Sequence, residues 1–99
     1  MKIVLVTGGF DPLHSGHIEY FKAAKELGDR LVVAVNSDFS VRLSKGPKRP
    51  IVPEAERVEM LCHIEVIDRI FLFDDLMVSP VLEALRPAIH AKGTDYTVD

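Results

Sequence analysis

The stretch Thr7-Gly8-Gly9-Phe10-Asp11-Pro12-Leu13-His14-Ser15-Gly16-His17 holds the residues best suited to chemistry. His14 and His17 stand at i and i+3 where a helix begins, a spacing that sets two imidazoles on one side of its first turn. Backbone N–H groups at a helix N-terminus attract anions, and imidazoles there can answer negative charge as it develops. Gly16 between them removes a side chain that would keep a phosphate from the backbone. Thr7, Gly8, Gly9 and Phe10 form a turn whose own N–H groups can approach a phosphate, and Asp11 can orient a bound group or accept from it. These residues together suit a nucleotide's phosphate chain. Two alternatives stay open: capping or surface histidines, or a zinc site, for which no nearby Cys/His cluster supplies a further ligand.

Other candidates lie further along. Arg42, Lys45, Lys48 and Arg49 follow one another without an intervening acid and read as a basic lid, with Lys45 before Gly46 the strongest phosphate ligand among them. Arg57 is either a phosphate clamp or one half of an ion pair with Glu54 or Asp68. Asp38 could bind a substrate hydroxyl or cap the following turn. Lys92, Gly93, Thr94 and Asp95 could meet the base or ribose. His63 and His90 belong to no pattern and read as structural, and Cys62 reads as part of a helix's inner face.

Positioning these groups requires alternating strands and helices. Strand-like runs cover Lys2 to Thr7, Arg30 to Val35, Asp68 to Phe73 and Ala88 to Ala91. Helical runs cover Gly16 to Leu27, with Ile18, Phe21, Ala24 and Leu27 inward and Gly28 as its C′ residue, and Pro53 to about Ile64. A short helix opens at Ser79-Pro80 and ends at Pro87. Phe39 to Ile51 reads as a mobile loop. The alternation predicts an α/β fold: a Rossmann-like, doubly wound parallel sheet in three layers. The loops after all four strands then share the carboxyl edge of the sheet, where ligands of such folds bind.

Composition narrows the field. A chain of 99 residues suits one domain, residues 1–99, and 47% hydrophobic content argues against disorder. A net charge of −3 offers nucleic acid or an anionic membrane no overall attraction, so neither is an expected partner. No apolar run reaches membrane-spanning length, and a single cysteine excludes an internal disulfide, which fits a cytoplasmic protein.

The turn carrying His14 and His17, the run Leu27 to Asp38, and Lys45-Gly46 with Arg49-Pro50 and Glu56-Arg57 resemble the cytidylyltransferase-like nucleotidyltransferase family along nearly the whole chain. Lys45-Gly46, Arg49 to Pro53 and Lys92 to Tyr96 look most like the adenylyltransferase domain of ADP-heptose synthases. The resemblance implies transfer of a nucleoside monophosphate from ATP or CTP to a phosphorylated small molecule, with Mg2+ and release of pyrophosphate. Heptose 1-phosphate is the first choice of acceptor, glycerol 3-phosphate the alternative, and a homodimer is a further implication. It assigns His14, His17 and Lys45 to catalysis and Arg57, Lys92, Gly93 and Asp95 to the nucleotide alongside the turn, with Asp11 and Asp38 orienting substrate or metal. Family members continue into another strand and a Ser/Thr-rich motif, so a C-terminally shortened domain is expected.

Overall fold

A computed structural model describes residues 1–74 and 87–92, the side chains of 91 and 92 excepted. Strands β1 (Ile3–Gly8), β2 (Arg30–Asn36), β3 (Arg69–Phe73) and β4 (Ile89–Lys92) form one parallel sheet in the order β3-β2-β1-β4. Strands covered on both faces need continuous apolar runs, and Val4-Leu5-Val6 and Leu31 to Val35 supply them. Val4, Val6, Leu31, Val33 and Val35 point to one face, where Phe21 and Ala24 of α1 (Ser15–Lys25) and Leu61 of α3 (Glu54–Cys62) pack. Leu5, Val32, Ala34 and Phe73 form a second cluster on the other face. Each fully buried valine, leucine or phenylalanine among them contributes about 1.5–3 kcal/mol relative to exposure. This is the α/β, Rossmann-like architecture that the alternation predicts. Strand order reverses at β1, so the crevice of such a sheet opens between the carboxyl ends of β1 and β4. The helix expected after Ser79 lies outside the described residues.

Four local expectations change. The stretch read as a mobile loop begins with a helix, α2 (Asp38–Lys45). Its buried residues, Ser40 and Val41, are sequence neighbours, while Phe39 and Leu43 are more than half exposed, so no inward apolar period marks it. Helix α1 stops at Lys25, which leaves Leu27 beyond the packed face and 52% exposed. Gly28 is no left-handed cap: a Cβ there would lie 2.8 Å from both the Lys2 carbonyl oxygen and Val4 Cγ2. Its lack of a side chain lets the α1–β2 connection lie against β1. Cys62 is exposed, because Arg57 and Leu61 form the inner face of α3 and Cys62 falls one step around from it.

The amino edge of the sheet is closed by its own acids. The Lys2 N–H donates to Asp29 Oδ2 at 2.7 Å, and the Asp29 N–H returns a bond to the Lys2 carbonyl at 2.7 Å. Asp68 Oδ2 accepts from Lys25 Nζ and from the Leu31 N–H, each at 2.7 Å. The Lys25 hydrogen bond, aided by the Leu31 N–H and by nearby positive charge and opposed by desolvation, holds the Asp68 carboxyl below its ordinary value.

Candidate active site

The turn after β1 is built around one aromatic ring. Phe10 has φ 53°, a left-handed conformation that costs a non-glycine residue about 1–2 kcal/mol. Its ring is 4% exposed and meets the rings of His17 and Phe21 edge-on, each at a centroid distance of 5.3 Å. That packing offsets the backbone strain. Gly8 makes room for it, since a Cβ there would stand 3.0 Å from Phe10 Cζ. A Cβ on Gly9 would make only ordinary contact, at 3.6 Å, with Val41 of α2, so this helix packs against the turn.

His14 and His17 form a reciprocal cap at the start of α1. His14 is the N-cap, and its Nδ1 accepts the Gly16 N–H at 3.0 Å. The His14 N–H in turn donates to His17 Nδ1 at 3.1 Å. The capping role that the sequence left open is therefore real, and it fixes how both imidazoles are turned. A ring whose Nδ1 accepts from an amide carries its neutral-form proton on Nε2. Both rings are fixed as Nε2–H donors, with centroids 3.9 Å apart and planes inclined by 37°. His14 is exposed, and His17 lies beneath it at 5% exposure against Phe10. Gly16 does more than open the backbone: a Cβ would meet His14 Cε1 at 2.8 Å and displace the cap. No acid occupies the first turn of α1, whereas α2 has Asp38 and α3 has Glu54 and Glu56 in theirs. The first turn of α1 therefore sets no negative charge of its own against the helix's positive end.

Asp11 and Arg57 point into the protein, and Asp38, 31% exposed, is tied to Arg57 and Glu54. Asp11, with a side chain 3% exposed, accepts from the Ile51 N–H at 2.8 Å and the Val52 N–H at 2.7 Å, and Arg49 Nη1 approaches at 3.5 Å. Arg57 is 1% exposed and paired with Asp38 at 2.7 Å, where the sequence suggested Glu54 or Asp68. Its guanidinium also donates to the carbonyls of Gly9, Asn36 and Val52, each at 2.8 Å. One buried cation therefore joins the turn, the end of β2 and the entry to α3. Asp38 completes the joint, because its Oδ1 accepts the Glu54 N–H while its own N–H donates to Glu54 Oε1. Sequence pattern gave no sign of this burial, since arginine is ordinarily a surface residue.

Lys45 is the last residue of α2 and is exposed. Thr7 is 7% exposed, and its Oγ1 lies 3.3 Å from His90 Nε2, a hydrogen bond from β1 to β4. The backbone of Lys92 ends β4, while Gly93, Thr94 and Asp95 lie outside the described residues. Among the described residues no three His, Cys, Asp or Glu side chains gather as metal ligands. With Asp11 and Asp38 engaged by amides and Arg57, these residues do not fit a metal cage made of protein alone.

Known proteins resemble this chain in sequence and in fold. Residues 5–99 match the cytidylyltransferase-like family. The chain is 45% identical over 98 residues to the bifunctional protein HldE of Methylobacillus flagellatus and 48% identical over 96 residues to that of Geobacter metallireducens. These matches cover 99% and 97% of the chain but 20% of either relative, so the chain spans about a fifth of their length. Among solved structures, the lipopolysaccharide core biosynthesis protein of Thermoplasma volcanium superposes with a TM-score of 0.85 at 36% identity, covering 100% of this chain and 80% of the other. Fold and sequence agree: the chain belongs to the cytidylyltransferase-like family.

Proposed function

We propose that this domain transfers a nucleoside monophosphate from ATP or CTP to a phosphorylated small molecule, a sugar 1-phosphate such as heptose 1-phosphate, and releases pyrophosphate. The observation that carries the reading is the imidazole pair, held as Nε2–H donors at the positive end of α1 beside the reversal point of the sheet. The family match supports nucleotidyl transfer, and the Thermoplasma structure's role in lipopolysaccharide core biosynthesis supports a sugar phosphate over glycerol 3-phosphate.

An acceptor phosphate oxygen attacks the α-phosphorus in line, the bond to the bridging oxygen breaks, and pyrophosphate leaves. The protein's share is position and charge. His14 and His17 donate to the phosphate oxygens as charge builds there, and the N–H groups of the turn hold the chain of phosphates near the positive end of α1. Lys45 supplies positive charge from the end of α2. Phe10 keeps His17 from tilting. Mg2+, if it enters with the triphosphate, would supply further positive charge to the phosphates without needing a cage made of protein alone.

The test is a pyrophosphate-release screen of ATP and CTP against heptose 1-phosphate, other sugar 1-phosphates and glycerol 3-phosphate. Release with a sugar 1-phosphate is expected. Release with none of the acceptors, under conditions where triphosphate binds, would overturn transfer in favour of binding alone.

A further inference from the structure

The turn that carries the histidines and the basic segment after α2 are held together by one carboxylate. Gly46, with φ 105°, ends α2, and the Arg49 N–H bonds back to the Gly46 carbonyl at 3.1 Å, closing a tight turn with Lys48 at its tip. Immediately beyond, Asp11 takes the N–H groups of both Ile51 and Val52, and Arg49 Nη1 donates to the Asp11 carbonyl at 3.3 Å as well as approaching its carboxylate. The run of four cations thereby divides. Arg49 faces Asp11, while Arg42 and Lys45 on α2 and Lys48 at the tip of the tight turn are exposed.

We propose that Asp11 is a positioning residue. It fixes the segment 45–52 against the β1 turn, so that Lys45 and Lys48 stand where the triphosphate binds, and it touches neither nucleotide nor metal. The geometry favours this over a ligand role. A carboxylate 3% exposed, accepting two amides and facing a guanidinium, has its oxygens directed into the protein. A direct role would also set its negative charge against the phosphates that His14 and His17 serve.

The proposal rests on the nucleotidyl-transfer reading for its substrate, but one arm of its test does not. That arm is hydrogen exchange on the nucleotide-free domain. Asp11→Ala should strip protection from the Ile51 and Val52 amides while the β1 and β2 amides keep theirs. The second arm is a binding cycle for ATP and CTP by calorimetry, joining Asp11→Ala to the double variant Lys45→Ala/Lys48→Ala. Asp11→Ala alone should weaken the triphosphate about tenfold. Added to the double variant, it should cost no more than about threefold further, because the route through which it acts is already gone. Asp11→Asn, which keeps one acceptor oxygen, should fall between wild type and Asp11→Ala in both arms, and serves if Asp11→Ala does not fold. Unchanged protection at Ile51 and Val52, or losses that multiply in full, would overturn the proposal. If wild-type protein bound no triphosphate, the functional reading would fall and the exchange arm alone would decide where Asp11 acts.

Discussion

The two edges of the sheet use carboxylates in the same way and to opposite ends. At the amino edge, Asp29 and Asp68 take the backbone amides of Lys2 and Leu31, and Lys25 covers Asp68. At the carboxyl edge, Asp11 and Asp38 take the amides of Ile51, Val52 and Glu54, with Arg49 and Arg57 beside them. The difference lies in what remains afterwards. The amino edge leaves Gly28 packed on Lys2 and Val4, whereas the carboxyl edge leaves two imidazoles that cap a helix with no acid in its first turn. An edge becomes a site when its acids face inward and its donors do not.

Substitutions at the two edges should therefore separate activity from stability. The largest effect is expected from Arg57→Met, which strands Asp38 and three carbonyls; about 3–5 kcal/mol of stability should be lost in urea denaturation. Arg57→Lys should restore little, because an ammonium cannot span the four acceptors. His17→Ala comes next: turnover should fall about 10²–10³-fold, or about 2.7–4 kcal/mol in the barrier. Its stability cost should exceed the roughly 1 kcal/mol of a lost cap bond, because the buried ring also packs on Phe10. Steady-state pyrophosphate release and thermal melting measure the two separately, and near wild-type turnover would remove His17 from the mechanism.

At the amino edge, Gly28→Ala forces a Cβ against backbone and should cost about 1–3 kcal/mol while turnover per folded molecule stays unchanged. A loss of turnover there would collapse the contrast between the edges. Asp68→Asn is the smallest, about 1 kcal/mol at neutral pH for a partly exposed pair. Because the Asp68 carboxyl is lowered in the folded state, its contribution is complete above the ordinary aspartate range and disappears as pH falls through the lowered value. Melting curves of variant and wild type should accordingly converge in acid.

The strands and the histidine turn were legible because burial on two faces demands unbroken apolar runs and because paired imidazoles at a helix start are uncommon. Helix α2 was not, since its contacts are made by Ser40 and Val41 side by side. The signs that could have revealed it are polar: Ser37 as N-cap, Asp38 in the first turn, Arg42 and Lys45 in the last, and Gly46 as the stop. Leu27 and Cys62 were misplaced by carrying a helical period past, or one step around, the packed face. The inward roles of Asp11, Asp38 and Arg57 depend on partners up to 48 residues away, and local spacing carries no trace of such pairings.

The Phe10 ring has a final consequence. It touches His17 on one side and Phe21, a member of the main apolar cluster, on another. Phe10 and Phe21 share that cluster with Val4, Val6, Leu31, Val33 and Val35 of the strands, so the seat of the imidazole is as firm as the sheet. The His17 ring should therefore keep its place until the fold itself melts.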